Sequence, residues 1–276
     1  MKLAVAIIHG MGSQKDTFAD PLKQELTDRF AKLKGRKTDL VFESIHWAPV
    51  LSRRESELWD KVVTSYDLDY VKLRQFIISA LGDAIAYQPL RAGAQKTKNV
   101  YTDIHRIVRK SLSNLATNAG QRVPLVVIAH SLGSIIMSNY LWDLWKPTIG
   151  PKPLMTPLEG GETLAGLVTF GSPMALWSLR YDNYGEPIGF PHPSLKQHFP
   201  KIKSKWLNFF DDDDILAYPL RDLNIKYRRR VSRDIPISVG GLFTGWNPVS
   251  HTRYWTDNDF TKPVAELLHA VWNDAQ

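Results

Sequence analysis

Two rhythms of apolar residues alternate along the chain. Lys2 to Ile8 is almost continuously apolar, as a strand buried on both faces would be. Asp20 to Leu33 reads as a helix, with Pro21 in the first turn where a missing N–H costs nothing. Asp39 to His46 reads as the next strand. From Glu55 to Tyr87, Leu58, Trp59, Val62, Val63, Tyr66, Leu73, Phe76, Ile77, Ala80 and Leu81 recur at helical spacing. Tyr101, Ile104, Val108, Leu112 and Leu115 continue in steps of three and four. Val123 to Ala129 is a third buried strand, followed by a helix from Gly133 to Trp145 that Lys146-Pro147 stops. Thr163 to Phe170 and Lys205 to Phe210 are two further strands. Pro263 to Trp272 closes the pattern as a helix with Val264, Leu267, Leu268 and Val271 on one face.

Strands alternating with helices predict an α/β fold with a mostly parallel sheet and helices on its faces. Pro147 to Gly161 and Tyr181 to Pro200 are loops rich in proline and glycine, and Asp222 to Ser238 is a charge-rich segment read as an extra strand. No repeat or linker divides the chain, so 1–276 reads as a single domain. Residues 48–120 within it supply helices that either cover the sheet or cap a site, covering being the plainer reading. The charges scattered through Glu55 to Tyr87 suit helices that bury one face permanently.

Composition narrows the classes. Hydrophobic residues are 43% and charged residues 23% of 276, a globular balance with enough chain for one large core. No apolar run approaches the length of a membrane span. The run Leu3 to Ile8 ends at His9-Gly10 without a small-residue cleavage site, so it reads as a strand of a cytoplasmic protein. The absence of cysteine excludes disulfides, thiolate metal sites and a cysteine nucleophile. The net charge of +7 is densest at Lys226-Tyr227-Arg228-Arg229-Arg230 and Arg233, read as a solvated edge strand. No nucleic-acid-binding signature accompanies these cations, so nucleic acid is not an expected partner, and at most a weak contact with an anionic surface is.

The strongest local signal is Ala129-His130-Ser131-Leu132-Gly133, between a buried strand and a helix. A serine hydroxyl is a poor nucleophile unless it is held exposed beside a base, and a sharp strand-to-helix turn with small residues at 129 and 133 does this. The turn also aims the Leu132 amide and a helix N-terminus at one spot, where an oxyanion could form. Ile8-His9-Gly10-Met11-Gly12 ends another buried strand. A dinucleotide loop there would need glycine at position 15, which is Lys15.

The first segment resembles the nucleophile elbow of the α/β-hydrolase superfamily, with Ala129 in place of the usual glycine as in some bacterial lipases. His9-Gly10 is similar to the His-Gly segment after an early strand of lipases and esterases. The resemblance implies a reduced α/β-hydrolase sheet lacking the first strands and an oxyanion hole of the Met11 and Leu132 amides. It places His9, Gly10 and His130 against the substrate. The superfamily order of serine, acid, histidine leaves His251, in Pro248 to Trp255, as the base. His192 and His198 come too early, and His269 reads as a surface residue. The acid falls in Asp211-Asp212-Asp213-Asp214, where one carboxylate should turn inward while the rest face water. Asp214 is preferred because Asp214 to Pro219 is similar to the lipase segment, with Asp211 second. A calcium loop lacks the required spacing. Phe170-Gly171-Ser172-Pro173 also resembles a hydrolase segment; Pro173 and the lack of a second small residue count against Ser172 as nucleophile.

The expectation is therefore a carboxylic ester hydrolase using Ser131, His251 and Asp214 on a small-molecule ester, with no metal or cofactor. Thioesterase, amidase or acyltransferase chemistry on the same triad, or a non-catalytic binding protein of this fold, are the alternatives.

Overall fold

The computed structural model describes residues 1–12, 14–33, 35–64, 69–88, 99–146, 155–238 and 254–276. Six strands form one sheet in the order β2-β1-β3-β4-β5-β6, every neighbouring pair parallel. They are β1 (Leu3–Ile8), β2 (Leu40–Ile45), β3 (Leu125–His130), β4 (Leu164–Phe170), β5 (Lys205–Asp211) and β6 (Arg233–Ile237). β1, β3 and β4 are buried at every residue, which is why their sequences are apolar without alternation.

Each face of the sheet has its own core. Leu3, Val5 and Ile7 pack with helices α1 (Asp20–Lys32) and α9 (Asn258–Asp274), through Leu22, Leu26 and Phe30 and through Val264, Leu268 and Val271. Ala4, Ala6 and Ile8 pack on the other face with α4 (Val100–Ala119) and α5 (Leu132–Trp145). The stripe Ile104, Val108, Leu112 and Leu115 is the buried side of α4, which is capped by the Asn99 side chain and ends at Gly120. Among the described residues no helix is long and apolar enough to cross a membrane.

Two segments depart from the expected pattern. The periodic run from Glu55 is not one helix. It comprises α2 (Pro49–Trp59), one π-helical turn at Asp60–Thr64, and α3 (Val71–Ala86). Ile77, Leu81 and Ile85, four residues apart on α3, are exposed, as are Leu58 and Val62, so these positions lie on no buried face, whereas Val63 of the same run is buried.

The basic run is not an edge strand either. Short helices α6 (Met174–Ser178) and α7 (Leu195–His198) precede β5, and α8 (Ile225–Arg230) carries the run itself. Asn224 caps α8 by accepting the Lys226 and Tyr227 amides, and three arginines lie in the last turn, where the helix dipole favours cations. The edge strand is the segment just after it, β6.

β6 has a second task. Asp234 accepts hydrogen bonds from the Leu220 and Arg221 amides (3.0 and 2.8 Å) and from Asn208 Nδ2 (2.8 Å), tying the chain that returns from β5 back to the sheet. Removing a carboxylate that serves several donors leaves them unsatisfied. Asp234→Ala is expected to lower stability by about 2 kcal/mol in urea unfolding, with a loss below about 0.5 kcal/mol showing that the contacts are dispensable.

Candidate active site

The strand order reverses direction between β1 and β3: β2 lies to one side of β1, and β4 to β6 lie beyond β3. In open parallel sheets the crevice at the carboxyl ends of such strands is where ligands bind. The register pairs Ile8 with Ala129, and two residues further on it brings Gly10 beside Ser131. A Cβ on Gly10 would stand 2.5 Å from Ser131 Cβ and 3.1 Å from its Oγ. A Cβ on Gly133 would stand 2.4 Å from the His9 carbonyl oxygen. Only glycine at both places lets the chain after β1 lie directly over the turn after β3.

Ser131 occupies that turn with φ 49° and ψ −128°, and it is buried, not exposed as expected. A left-handed φ at a residue other than glycine costs on the order of 1–3 kcal/mol and survives only where neighbours enforce it. Here the Ser131 amide donates to the Phe170 carbonyl (3.0 Å), and the Ser131 carbonyl accepts from the Ser134 amide (2.9 Å) and hydroxyl (2.6 Å). Since Ser134 gives its proton to Ser131, Ser172 is the donor in the 2.6 Å bond between the Ser134 and Ser172 hydroxyls. Ser172 is buried and also accepts the Met174 amide, so it braces the turn.

His9 lies fully buried under the loop after β1. Its ring stacks on Trp47 (4.8 Å between centroids, 13° between planes). Nε2 accepts the Trp47 and Ala48 amides at the start of α2 (3.0 and 3.3 Å), which leaves Nδ1 protonated and donating to the Gly10 carbonyl (2.8 Å). Trp47 Nε1 donates to the His9 carbonyl (3.0 Å). Burial drives the His9 pKa down to about 3, and the ring is neutral. His130 is also buried, packed against Phe170 (4.8 Å) and Trp255 (5.3 Å).

The Leu132 amide opens α5 and the Met11 amide follows Gly10; among the described residues neither has a backbone acceptor. The Gly12 amide donates to Asp83 Oδ2 on α3 (2.9 Å).

Of the four aspartates at the end of β5 and just after it, two are buried, Asp211 and Asp214, not the single one expected; Asp212 and Asp213 are exposed. The buried pair divides the local donors. Asp211 Oδ1 accepts the Asp213 amide (2.7 Å), and Asp214 Oδ1 accepts the Leu216 amide (3.0 Å). Tyr254 joins them: its hydroxyl donates to Asp214 Oδ2 (2.8 Å) and accepts the Asp211 amide (3.0 Å). Burial, and then the charge of Asp214, raises the Tyr254 pKa far above its usual value, so the phenol keeps its proton.

His251 lies outside the described residues. The other histidines after Ser131 are placed elsewhere. His192 packs on Trp145 at the far end of α5, His198 bonds Glu162 (3.0 Å) ahead of β4, and His269 sits between Phe30 and Trp272. Among the described residues no three histidines or carboxylates are grouped to hold a metal ion.

Sequence reasoning missed Trp47, Asp83 and Tyr254 as parts of this place. None of the three had a signal: Tyr254 stands 40 residues from Asp214 in sequence, and only the chain's path sets its hydroxyl there and brings Trp47 and Asp83 to the loop after β1.

No protein-family model and no curated sequence matches the chain. Among solved structures, the esterase domain of a Rhodothermus marinus protein aligns over 98% of this chain and 85% of its own, with 11% identity and a TM-score of 0.39. A lipase-esterase related protein from Clostridium acetobutylicum ATCC 824 aligns over 96% of this chain and 92% of its own, with 13% identity and a TM-score of 0.38.

Proposed function

We propose that this protein is a serine hydrolase that cleaves carboxylic esters. The observation that carries the reading is the left-handed φ of Ser131 at a strand-to-helix turn, braced from below by Ser134 and Ser172 and passed at van der Waals range by Gly10. Strain of this kind is kept where the position of one side chain matters more than the local stability it costs.

In this reading Ser131 Oγ attacks the acyl carbon while His251 takes its proton. The Met11 and Leu132 amides, with the N-terminus of α5, stabilise the tetrahedral oxyanion. His251 returns the proton to the departing alcohol, leaving an acyl ester on Ser131. A water molecule, deprotonated by His251, then attacks that ester and releases the acid and the free serine. Asp214 orients the imidazole and stabilises its cation, itself held by Leu216 and Tyr254. His9 is assigned a positioning role and not a substrate contact, because both its ring nitrogens are engaged inside the protein. Gly10 and His130 form the wall beside the serine.

Treatment with a fluorophosphonate probe should place one adduct on Ser131 by peptide mapping. An adduct on Ser172, or none on active protein, would sink the assignment and favour a binding protein of this fold.

Asp214→Asn should cost kcat roughly 10⁴-fold, as loss of the orienting carboxylate does in well-studied triads. Asp212→Asn and Asp213→Asn, on exposed positions, should leave it nearly unchanged. Turnover collapsing in Asp211→Asn while Asp214→Asn stays active would move the role to Asp211.

His9 gives an acid-stability signature. Its folded pKa of about 3 lies below the 6.5 of an unconstrained histidine. Between these values the unfolded chain binds the extra proton, so the stability is fully present above 6.5 and is lost as pH falls toward 3. The stability advantage of wild type over His9→Asn in urea unfolding should therefore shrink from pH 7 downward, by at most about 1.4 kcal/mol per pH unit. A difference constant from pH 7 to pH 4 would contradict the neutral, buried imidazole.

A further inference from the structure

The Met11 amide is useful as an oxyanion donor only if its peptide plane is held. A peptide is planar and its N–H points opposite to its C=O. The plane that carries the Met11 N–H also carries the Gly10 carbonyl, and His9 Nδ1 fixes that oxygen from below (2.8 Å). This settles one side. The next plane, Met11–Gly12, lies outside any helix or strand, and Gly12 has φ 86°, a conformation open to glycine at little cost. Left alone, that plane could rotate and carry the Met11 Cα with it.

Its N–H is held by Asp83 Oδ2 at 2.9 Å. Asp83 is 2% exposed and comes from α3, 71 residues further along the chain. Its other oxygen, Oδ1, is sealed from water and finds no donor among the described residues. The carboxyl of Glu55 on α2 lies beside it. A buried acid with a second acid for a neighbour is an expensive arrangement for a purely structural contact, since an apolar residue would fill the space at lower cost.

We propose that Asp83 is a positioning residue of the oxyanion site: by accepting the Gly12 N–H it fixes the Met11–Gly12 peptide and ties the aim of the Met11 amide to helix α3. The proposal rests on the reading of Ser131 as nucleophile and of Met11 as oxyanion donor. With His9 on one side of Met11 and Asp83 on the other, the amide is clamped by a ring that the start of α2 holds in place and by a carboxyl that comes from α3. Burial, with Glu55 adding to it, pushes the Asp83 carboxyl up to about 8 and raises Glu55 as well. The shift favours the protonated carboxyl, of which asparagine is a close mimic: the amide oxygen can accept from Gly12 and the amide nitrogen can donate to Glu55.

The test compares wild type, Asp83→Ala and Asp83→Asn in turnover of a p-nitrophenyl ester, with kcat expressed per fluorophosphonate-labelled site so that unfolded protein does not count. Should the alanine variant fail to fold, Asp83→Leu, of similar volume, takes its place. The expected result is a kcat lower by roughly tenfold or more in Asp83→Ala, since loss of a whole oxyanion donor costs about 10²–10³, with KM changed less than about threefold. Affinity for a boronic acid, which forms a tetrahedral anionic adduct, should fall in step with kcat. Asp83→Asn should restore both. A kcat per labelled site within about twofold of wild type in the alanine or leucine variant, or an asparagine variant no better than alanine, would overturn the proposal while leaving the nucleophile in place. Wild-type protein that neither labels at Ser131 nor turns over ester would sink the functional reading and this proposal with it.

Discussion

The close passage of the chain after β1 over the turn after β3 is the constraint on which the rest of the site depends. Gly10 lies where a single methyl group would overlap Ser131, and Gly133 lies where one would overlap the His9 carbonyl. Such an approach is possible only because β1 and β3 are direct neighbours in register, so their last residues end side by side. With the two ends in contact, the serine holds a strained backbone conformation, φ 49° and ψ −128°. The strain is offset by hydrogen bonds from Ser134 and to Phe170, and by the cores on both faces of the sheet.

Polar groups are buried around this contact in unusual number, and most of them serve the backbone. His9 is neutral, receives two amides from the start of α2 and passes its one proton to Gly10. Asp83 receives the amide of Gly12. Ser172 and Ser134 relay a hydrogen bond to the carbonyl of Ser131. None of these side chains can be exchanged for an apolar one without orphaning a buried partner, which costs about 1–3 kcal/mol each. The arrangement exchanges stability for fixed directions of a few peptide planes, which is what an electrostatically organised site requires.

The acidic side follows the same logic with fewer parts. Two carboxylates are buried within four residues, and the turn between them supplies amides to each. Tyr254 completes the set by donating to one aspartate and accepting from the backbone of the other. Asp234 on the neighbouring edge strand holds the far end of the same segment. The carboxylates are therefore placed by a turn whose two ends are anchored to the sheet.

By itself the sequence determined the alternation of strands and helices, because burial on both faces of a parallel sheet imposes continuous apolar runs such as Leu3 to Ile8. It also pointed to the turn at Ser131, because small residues at 129 and 133 around a serine are a local requirement that local residues can express. The run from Glu55 divides into two helices, whereas the cationic segment 226–230 is a helix behind a local cap, Asn224, which a short window of residues does contain. Only the tertiary structure decided that Trp47 and Asp83 meet the loop after β1, and that Tyr254 meets the aspartates after β5. These partners are 38, 71 and 40 residues apart in the chain, and they are brought together by the order of strands in the sheet. A hydrogen bond at such a separation leaves no periodicity in the sequence, since its geometry exists only after both cores have closed.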